Sequence, residues 1–300
     1  MPLPDVSVLI VNFNSGPWLS RCIASLQHSA TPLEILVADN GSSDDSLARL
    51  AREVGTPPGL RIVENGRNLG FAGAVNALAA LARAPFLLLL NPDCTVAPDT
   101  IGTTLRELRA AAGAGMAGCL VLNADGSEQR GCRRRLPTLR NALAREFGAG
   151  FDRKSAPGEA GAGRGFDLAG TPLPSATTDI EAISGAFMLV SRTAFDAVGP
   201  LDEGYFLHFE DLDWCARFHR AGYRIVFVPG ARITHAQGAC SRARPLRVEW
   251  HKHRGMYRFF DKFENPRRSR FLRLLIGAGV GLRFVVVGLR LLLAGAGLRR

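Results

Sequence analysis

Two sets of carboxylates, far apart in the chain, stand where they could do chemistry. The first is Asp93, which ends the run P-F-L-L-L-L-N-P-D (85–93). Five apolar residues are too few for a membrane span and suit a strand buried on both faces. Proline cannot donate to a ladder, so the chain leaves the sheet at Pro92. Asp93 then stands at the strand's carboxyl end, where open α/β sheets place their ligands; it can hold a cation there or cap the next helix. The second set is Glu210, Asp211 and Asp213. On a helix, 210 and 213 share a face while 211 and 213 diverge by about 200°, so the three acids cannot serve one purpose. Asp213 is expected on an exposed turn, pairing with Arg217 at i,i+4. Glu210 and Asp211 lie among Tyr205, Phe206, Phe209 and Trp214, aromatic walls that would raise a carboxyl pKa towards that of a general base.

The elements that position these groups follow from hydrophobic periodicity. V-S-V-L-I-V (6–11) reads as a strand ending at Asn12 and Asn14, with Pro17 at the start of a helix striped at 18, 19, 22, 23 and 26. Glu34 to Ala38 is a second strand, and it too ends on a carboxylate, Asp39. Ser42 or Ser43 could N-cap the helix 44–54. Leu60 to Glu64 is a third strand, and a helix over 71–83 delivers the chain to the strand before Asp93. Alternating strands and helices predict a doubly wound, mostly parallel α/β sheet, and right-handed crossovers put Asp39 and Asp93 on one edge. A helix over 99–112 and strands at 116–122, 180–191 and 223–228 follow, with a turn at Pro229-Gly230 leading to His235. The Gly-, Ala-, Pro- and Ser-rich stretch 148–178 reads as a mobile insert. G-A-G-M-A-G (113–118) fits a dinucleotide fingerprint by letter but follows a helix and opens a strand, the reverse of that motif.

Charge is distributed unevenly. The net charge of +10 is the sum of +12 in residues 240–300, where fifteen Lys and Arg face three acids, and −2 in the preceding body, which holds 22 basic and 24 acidic residues. A near-neutral body with a basic tail points to a membrane surface or a phosphate-bearing partner for the tail, not to nucleic acid, since no aromatic–basic recognition module is present. Six scattered cysteines without a CxxC pair speak against zinc sites and disulfides, and no signal peptide is visible; both fit a reducing cytosol. The apolar stretch 271–298 carries Arg273, Arg283 and Arg290 within an arc of about 100°. Central arginines would each cost about 3 kcal/mol in a spanning helix. An interfacial helix with its basic stripe towards anionic headgroups is therefore expected. A tilted span or a helix pair packed on the body are the alternatives.

Taken in order, V-S-V-L-I-V-N-F-N (6–14), V-A-D-N-G-S-S-D-D-S (37–46), N-L-G-F-A-G-A-V-N (68–76), L-L-N-P-D (89–93), S-G-A-F-M-L-V-S-R (184–192), G-P-L-D-E-G-Y-F-L-H-F-E-D-L-D-W-C-A-R (199–217) and H-A-Q-G-A-C-S (235–241) resemble the family 2 glycosyltransferases, in their rhamnosyltransferase-like branch. The resemblance implies a GT-A fold (Rossmann-like, mostly parallel) over 1–240, followed by a basic amphipathic helical tail over 241–300. It also implies inverting transfer of a sugar, plausibly L-rhamnose from dTDP-rhamnose, onto a lipid-linked or polysaccharide acceptor in cell-envelope biosynthesis. It assigns Asp39, with Asn12 and Asn14, to the base and ribose of the nucleotide, and Asn68, Gly70 and Asn76 to the loop beside it. Asp93 takes the metal (Mg²⁺ or Mn²⁺), with His235 as a metal or diphosphate neighbour. Asp211 is the base of an acidic pair with Glu210. One departure stands out: Asn91, placed with the nucleotide-sugar residues, replaces the first acid of the metal motif. It keeps open a catalytically inactive sugar-nucleotide-binding or scaffold protein at the membrane. The expected place of work is the cytoplasm, peripheral on the inner face of the cell membrane.

Overall fold

In the computed structural model, residues 3–139, 166–236, 245–265 and 269–297 are described. The strands are β1 (Val6–Asn12), β2 (Leu33–Asp39), β3 (Leu60–Glu64), β4 (Phe86–Leu90), β5 (Cys94–Val96), β6 (Ala114–Leu122), β7 (Arg133–Arg134), β8 (Thr178–Asp179), β9 (Ala182–Ile183), β10 (Phe187–Ser191) and β11 (Arg224–His235). The helices are α1 (Trp18–Leu26), α2 (Ser46–Glu53), α3 (Gly70–Leu81), α4 (Thr100–Ala110), α5 (Arg192–Val198), α6 (Glu210–Arg220), α7 (Pro245–Phe263) and α8 (Arg270–Gly297). The main sheet runs β3-β2-β1-β4-β10-β6-β11-β5, with β8 against β11. β3, β2, β1 and β4 are mutually parallel, and β10 runs antiparallel between β4 and β6. This is the mostly parallel, doubly wound sheet that the alternating pattern implies.

The central run behaves as its composition demands. Leu88 and Leu90 enter one core layer with α1 and α4, and Leu87 and Leu89 the other with α3 and α6. All four are fully buried. Because β1 pairs in parallel with both β2 and β4, the carboxyl ends of β2 and β4, at which Asp39 stands and after which Asp93 follows, open on one sheet edge.

Several local expectations are corrected. Neither Ser42 nor Ser43 caps α2; Asp45 holds that position, and the Asp44 carboxylate accepts from the Ser46 amide and hydroxyl. The stretch 180–191 is not one strand. β9 pairs with β7 in a separate ribbon, and the chain turns at Ser184-Gly185 before β10 enters the main sheet. β11 does not end at Pro229-Gly230; it runs on to His235 across a register shift between Val228 and Arg232. A bulge lets proline sit in a strand without breaking the ladder on either side. The expected insert, 148–178, falls partly on described residues. Residues 148–165 lie outside the described residues, but Asp167 bridges to Arg134, and Arg133 donates to the Leu168 and Thr171 carbonyls.

α7 is fastened to the body. Phe259 and Phe260 are buried in the layer that holds α6. The Lys262 ammonium donates to Asp213 at 2.6 Å and Asp202 at 2.8 Å. Asp213 pairs with Arg217 at 2.7 Å as its spacing implies, yet it is fully buried rather than on an exposed turn. Arg273 of α8 pairs with Asp261 of α7, so that member of the basic stripe turns towards the helix pair. The outer face of α8 leaves Phe271, Leu274, Leu282, Leu289 and Leu293 exposed. By length and composition, Arg270–Leu293 is apolar enough to cross a membrane.

Lys262→Met should leave one oxygen of the buried Asp213 carboxylate without its donor, a loss of about 1–3 kcal/mol. Urea denaturation of the variant should show this loss; unchanged stability would mean that α7 is not anchored through Asp213.

Candidate active site

On the cation side, β5 explains a meeting that no linear spacing predicts. His235 pairs with Cys94 across β11 and β5, and the Ala236 amide donates to the Asp93 carbonyl. This brings His235 Nε2 to 3.0 Å from Asp93 Oδ1. The Asn91 amide lies 3.4 Å from the same nitrogen. On the far side of the ring, His235 Nδ1 is 2.6 Å from Gln129 Oε1. Gln129 is itself fixed, its amide donating to Asn123 Oδ1 and the His235 carbonyl. An acceptor oxygen held there requires Nδ1 to carry the hydrogen, so that in the neutral ring the Nε2 lone pair faces the Asp93 carboxylate. Two acceptors facing each other at that distance suit a shared cation. Asp93, Cys94 and His235 place ligand atoms within 4.8 Å of one another. Burial pushes the Cys94 thiol well up, with Cys22 and Asp93 adding to it, so in the absence of an ion it stays protonated. The remaining oxygen and nitrogen donors, Asp93 and His235, fit a hard divalent ion such as Mg²⁺ or Mn²⁺.

On the acid side, the site begins with a strained turn. His208 and Phe209 both have positive φ, 67° and 72°. Phe209 precedes α6, so Glu210 and Asp211 open that helix. The turn is clamped from two sides. Gly70, at φ 77°, lies so close that a Cβ there would come within 2.8 Å of the Phe206 carbonyl. From α7, a Cβ on Gly255 would come within 2.9 Å of the His208 carbonyl and 3.2 Å of Phe209 Cβ. Asp211 Oδ2 accepts from the Arg134 guanidinium and, at 3.2 Å, from the Gly185 amide; Oδ1 accepts from the Leu212 amide. Burial pushes this carboxyl up, but the Arg134 charge and hydrogen bond, joined by the Leu212 amide and His208, together outweigh it and hold the group below the ordinary range. Its neighbour goes the other way. Glu210 is 7% exposed, its Oε2 has no partner among the described residues, and burial beside Asp211 pushes its carboxyl up to about 8. Burial thus raises one acid of the pair and not the other, because the Arg134 guanidinium from β7 hydrogen-bonds Asp211 and not Glu210. Burial, with Lys252 nearby, keeps the His208 imidazole below its ordinary pKa.

The remaining sequence-derived positions surround the β1 and β2 ends. The Asn12 amide donates to Asp39 at 2.7 Å, and the other Asp39 oxygen accepts from the Gly41 and Ser42 amides. Asn14, at φ 53°, accepts from the Ser43 amide. Asn68 accepts from the Gly70 amide and Asn40. These residues shape one loop cluster beside the sheet edge. Asn76 stands apart: its amide is spent on Leu201 and Glu203, tying α3 to the segment before the strained turn. Two functional neighbours escaped the sequence reading, Gln129 and Arg134. Arg134 sits in R-R-R (133–135), and alternation along β7 sends Arg133 to Glu128 and Arg134 to Asp211.

Comparison with known proteins agrees with this architecture. Residues 7–168 match the model of Glycosyl transferase family 2. That is more than half of the chain. The protein belongs to the family 2 glycosyltransferases. An N-acetylglucosaminyl-diphospho-decaprenol L-rhamnosyltransferase of Mycobacterium tuberculosis is 31% identical over 240 residues, 76% of this chain and 75% of that protein. The rhamnosyltransferase WbbL of Escherichia coli K12 is 25% identical over 237 residues, 77% of this chain and 83% of that protein. Among solved structures, the mannosyltransferase PcManGT from Pyrobaculum calidifontis, in complex with GDP-Man and Mn²⁺, superposes with a TM-score of 0.57 at 18% identity, over 99% of this chain and 80% of that one. GalNAc-T7 with UDP, GalNAc and Mn²⁺ also gives 0.57, at 17% identity, over 86% of this chain and 51% of that one. The chain is thus a rhamnosyltransferase-like family 2 glycosyltransferase with the GT-A fold.

The raised Glu210 pKa has a signed consequence for stability. The native state keeps a proton that the unfolded chain releases near 4.5, so this contribution is whole below that pH and is lost as pH rises through about 8. Glu210→Gln should abolish that loss. Relative to the parent, the variant should gain stability progressively from pH 4.5 to 8 in urea titrations; parallel profiles would contradict a buried neutral Glu210.

Proposed function

We propose that this glycosyltransferase moves a sugar, L-rhamnose first among the options, from a nucleoside-diphosphate donor to a hydroxyl of a lipid-linked acceptor with inversion at the anomeric carbon. The single observation that carries the catalytic part is the divergence of two adjacent acids at one buried helix start. Asp211 is ionised and can accept a proton. Glu210 is neutral near pH 7 and cannot. We therefore assign Asp211 as general base and Glu210 as an uncharged neighbour that spares it like-charge repulsion. Arg134 keeps Asp211 a weak base, so the proton moves to it only as the acceptor oxygen forms its bond to the anomeric carbon. Proton transfer and attack are then one event.

Asp93 and His235 would hold a divalent ion, with Asn91 beside them, and the ion would neutralise charge gathering on the departing nucleoside diphosphate. Gln129 keeps His235 in the tautomer that this requires. The loop cluster of Asn12, Asn14, Asp39, Asn68 and Gly70 is the proposed seat of the nucleotide, on the same sheet edge as Asp93. The rhamnose and lipid-linked parts of the reading draw support from the names of the two rhamnosyltransferase relatives. The exposed outer face of α8 supports attachment to the cytoplasmic face of a membrane, in keeping with a lipid-borne acceptor. A catalytically inactive scaffold is the weaker reading, because Asp93 and His235 retain a donor set for the ion without the acid that Asn91 replaces.

Asp211→Asn should cut sugar transfer by about 10² to 10⁴ while leaving donor binding near normal. Glu210→Gln, which mimics the neutral acid, should keep most of the activity. If Glu210→Gln proved the inactive enzyme and Asp211→Asn stayed active, the base would be Glu210. Calorimetric titration of the nucleoside diphosphate should show tighter binding with Mg²⁺ or Mn²⁺, and Asp93→Ala should abolish that difference. Affinity indifferent to metal in the parent would remove the cation assignment.

A further inference from the structure

α7 carries three chemically distinct strips side by side along its N-terminal half. Arg247, His251 and Arg254 recur at i, i+4 and i+7 and so lie on one stripe, within an arc of about 60°. Arg247 and Arg254 are exposed. Neither has an ion pair among the described residues, whereas Arg258, next on the stripe, is taken by Asp202 and Lys252 by Glu249. The His251 ring stacks on Phe206 at 4.5 Å, and its Nδ1 is buried without a hydrogen-bond partner among the described residues. On one flank of the stripe is Gly255, pressed against the His208 carbonyl of the turn that presents Asp211. On the other flank are Leu246 and Trp250, 40% and 54% exposed, with Trp250 packed edge-on against Phe284 of α8. Burial, with Arg247 and Arg254 alongside, holds the His251 imidazole below its ordinary pKa, as expected of a site with positive charge in excess.

Around the helix the order is apolar flank, unpaired cations, catalytic turn. A prenyl-diphosphate-linked sugar has the same order along its length: hydrocarbon, diphosphate, sugar hydroxyl. We propose that the Arg247–His251–Arg254 stripe is the binding site for the diphosphate of the acceptor. The hydrocarbon lies over Leu246, Trp250 and the exposed face of α8, and the acceptor sugar reaches Asp211. The inference rests on the lipid-linked acceptor reading above and adds the residues that recognise it. Guanidinium groups suit the task because they bind phosphate oxygens in a bidentate fork. An ordinary anionic lipid offers the same phosphate chemistry, so the test must separate the two sources.

Farnesyl diphosphate serves as the probe, titrated calorimetrically into the full-length protein below its micelle concentration. The nucleotide site is first saturated with nucleoside diphosphate and Mn²⁺. The parent should bind the probe, and Arg247→Gln/Arg254→Gln should weaken that binding by about tenfold or more. Farnesol, lacking the diphosphate, should bind both proteins equally weakly. Unchanged affinity for farnesyl diphosphate in the variant would overturn the proposal. So would its displacement by nucleoside diphosphate, which would assign the anion to the donor site. Co-sedimentation with phosphatidylglycerol vesicles supplies the second arm: a variant that loses vesicle binding yet keeps its farnesyl diphosphate affinity would make the stripe a headgroup contact and overturn the acceptor site. Sugar transfer is assayed separately. Stripe-dependent farnesyl diphosphate binding in a protein that transfers no sugar would retire the enzymatic reading and leave the lipid-diphosphate site in place.

Discussion

The arrangement depends on one local constraint, the left-handed pair His208–Phe209. Two consecutive non-glycine residues at positive φ cost about 1–3 kcal/mol each and persist only where the surroundings over-determine them. Here the surroundings include two glycines, Gly70 at the start of α3 against Phe206 and Gly255 in the middle of α7 against His208 and Phe209. The Phe206 carbonyl, accepting from the Phe71 amide, fixes the turn's entry, and α6 fixes its exit. The strain sets the direction in which the first two residues of α6 project. Glu210 goes into the protein, and Asp211 goes towards Gly185 and Arg134.

From that divergence follows the electrostatic division of the site. Two adjacent carboxylates at a helix start would ordinarily share the favour of the helix dipole. Instead the desolvated one keeps its proton and the paired one keeps its charge, because only one of them meets an arginine. The Asp93–His235 group solves a related problem by different means. Asp93 reaches the sheet edge from a parallel strand, His235 arrives from the far side of the sheet by the β5–β11 pairing, and Gln129 sets the imidazole tautomer. The two groups belong to different elements, so the proposed base and the proposed cation ligand can be tuned separately.

Much of this was legible in the chain. The run of apolar residues before N-P-D (91–93) specifies a doubly buried strand and a carboxylate at its end, and both are found. The i,i+4 spacing of Asp213 and Arg217 specifies their pair. What stayed hidden depends on contacts between remote segments. Asp213 looks like a surface acid because helix spacing reports its partner and not its depth, which Lys262 of α7 compensates. Arg134 could not be singled out, since a run of three arginines becomes selective only once a two-residue strand gives it alternation. β5 is too short for periodicity to detect, yet it brings His235 to Asp93. The basic tail read as a membrane element carries a second property in α7, whose buried face packs against the strained turn before α6.

The central claim is that α7 aims the catalytic carboxylate through the strained turn. Gly255→Ala tests it most directly, since the atoms nearest the added methyl are the His208 carbonyl oxygen and the Phe209 side chain. Turnover should fall by about tenfold to a hundredfold, as for a misaimed catalytic group. Nucleoside-diphosphate affinity and circular dichroism should stay those of the parent. Full turnover in a folded Gly255→Ala protein, or a loss of nucleotide affinity equal to the loss of turnover, would contradict the account.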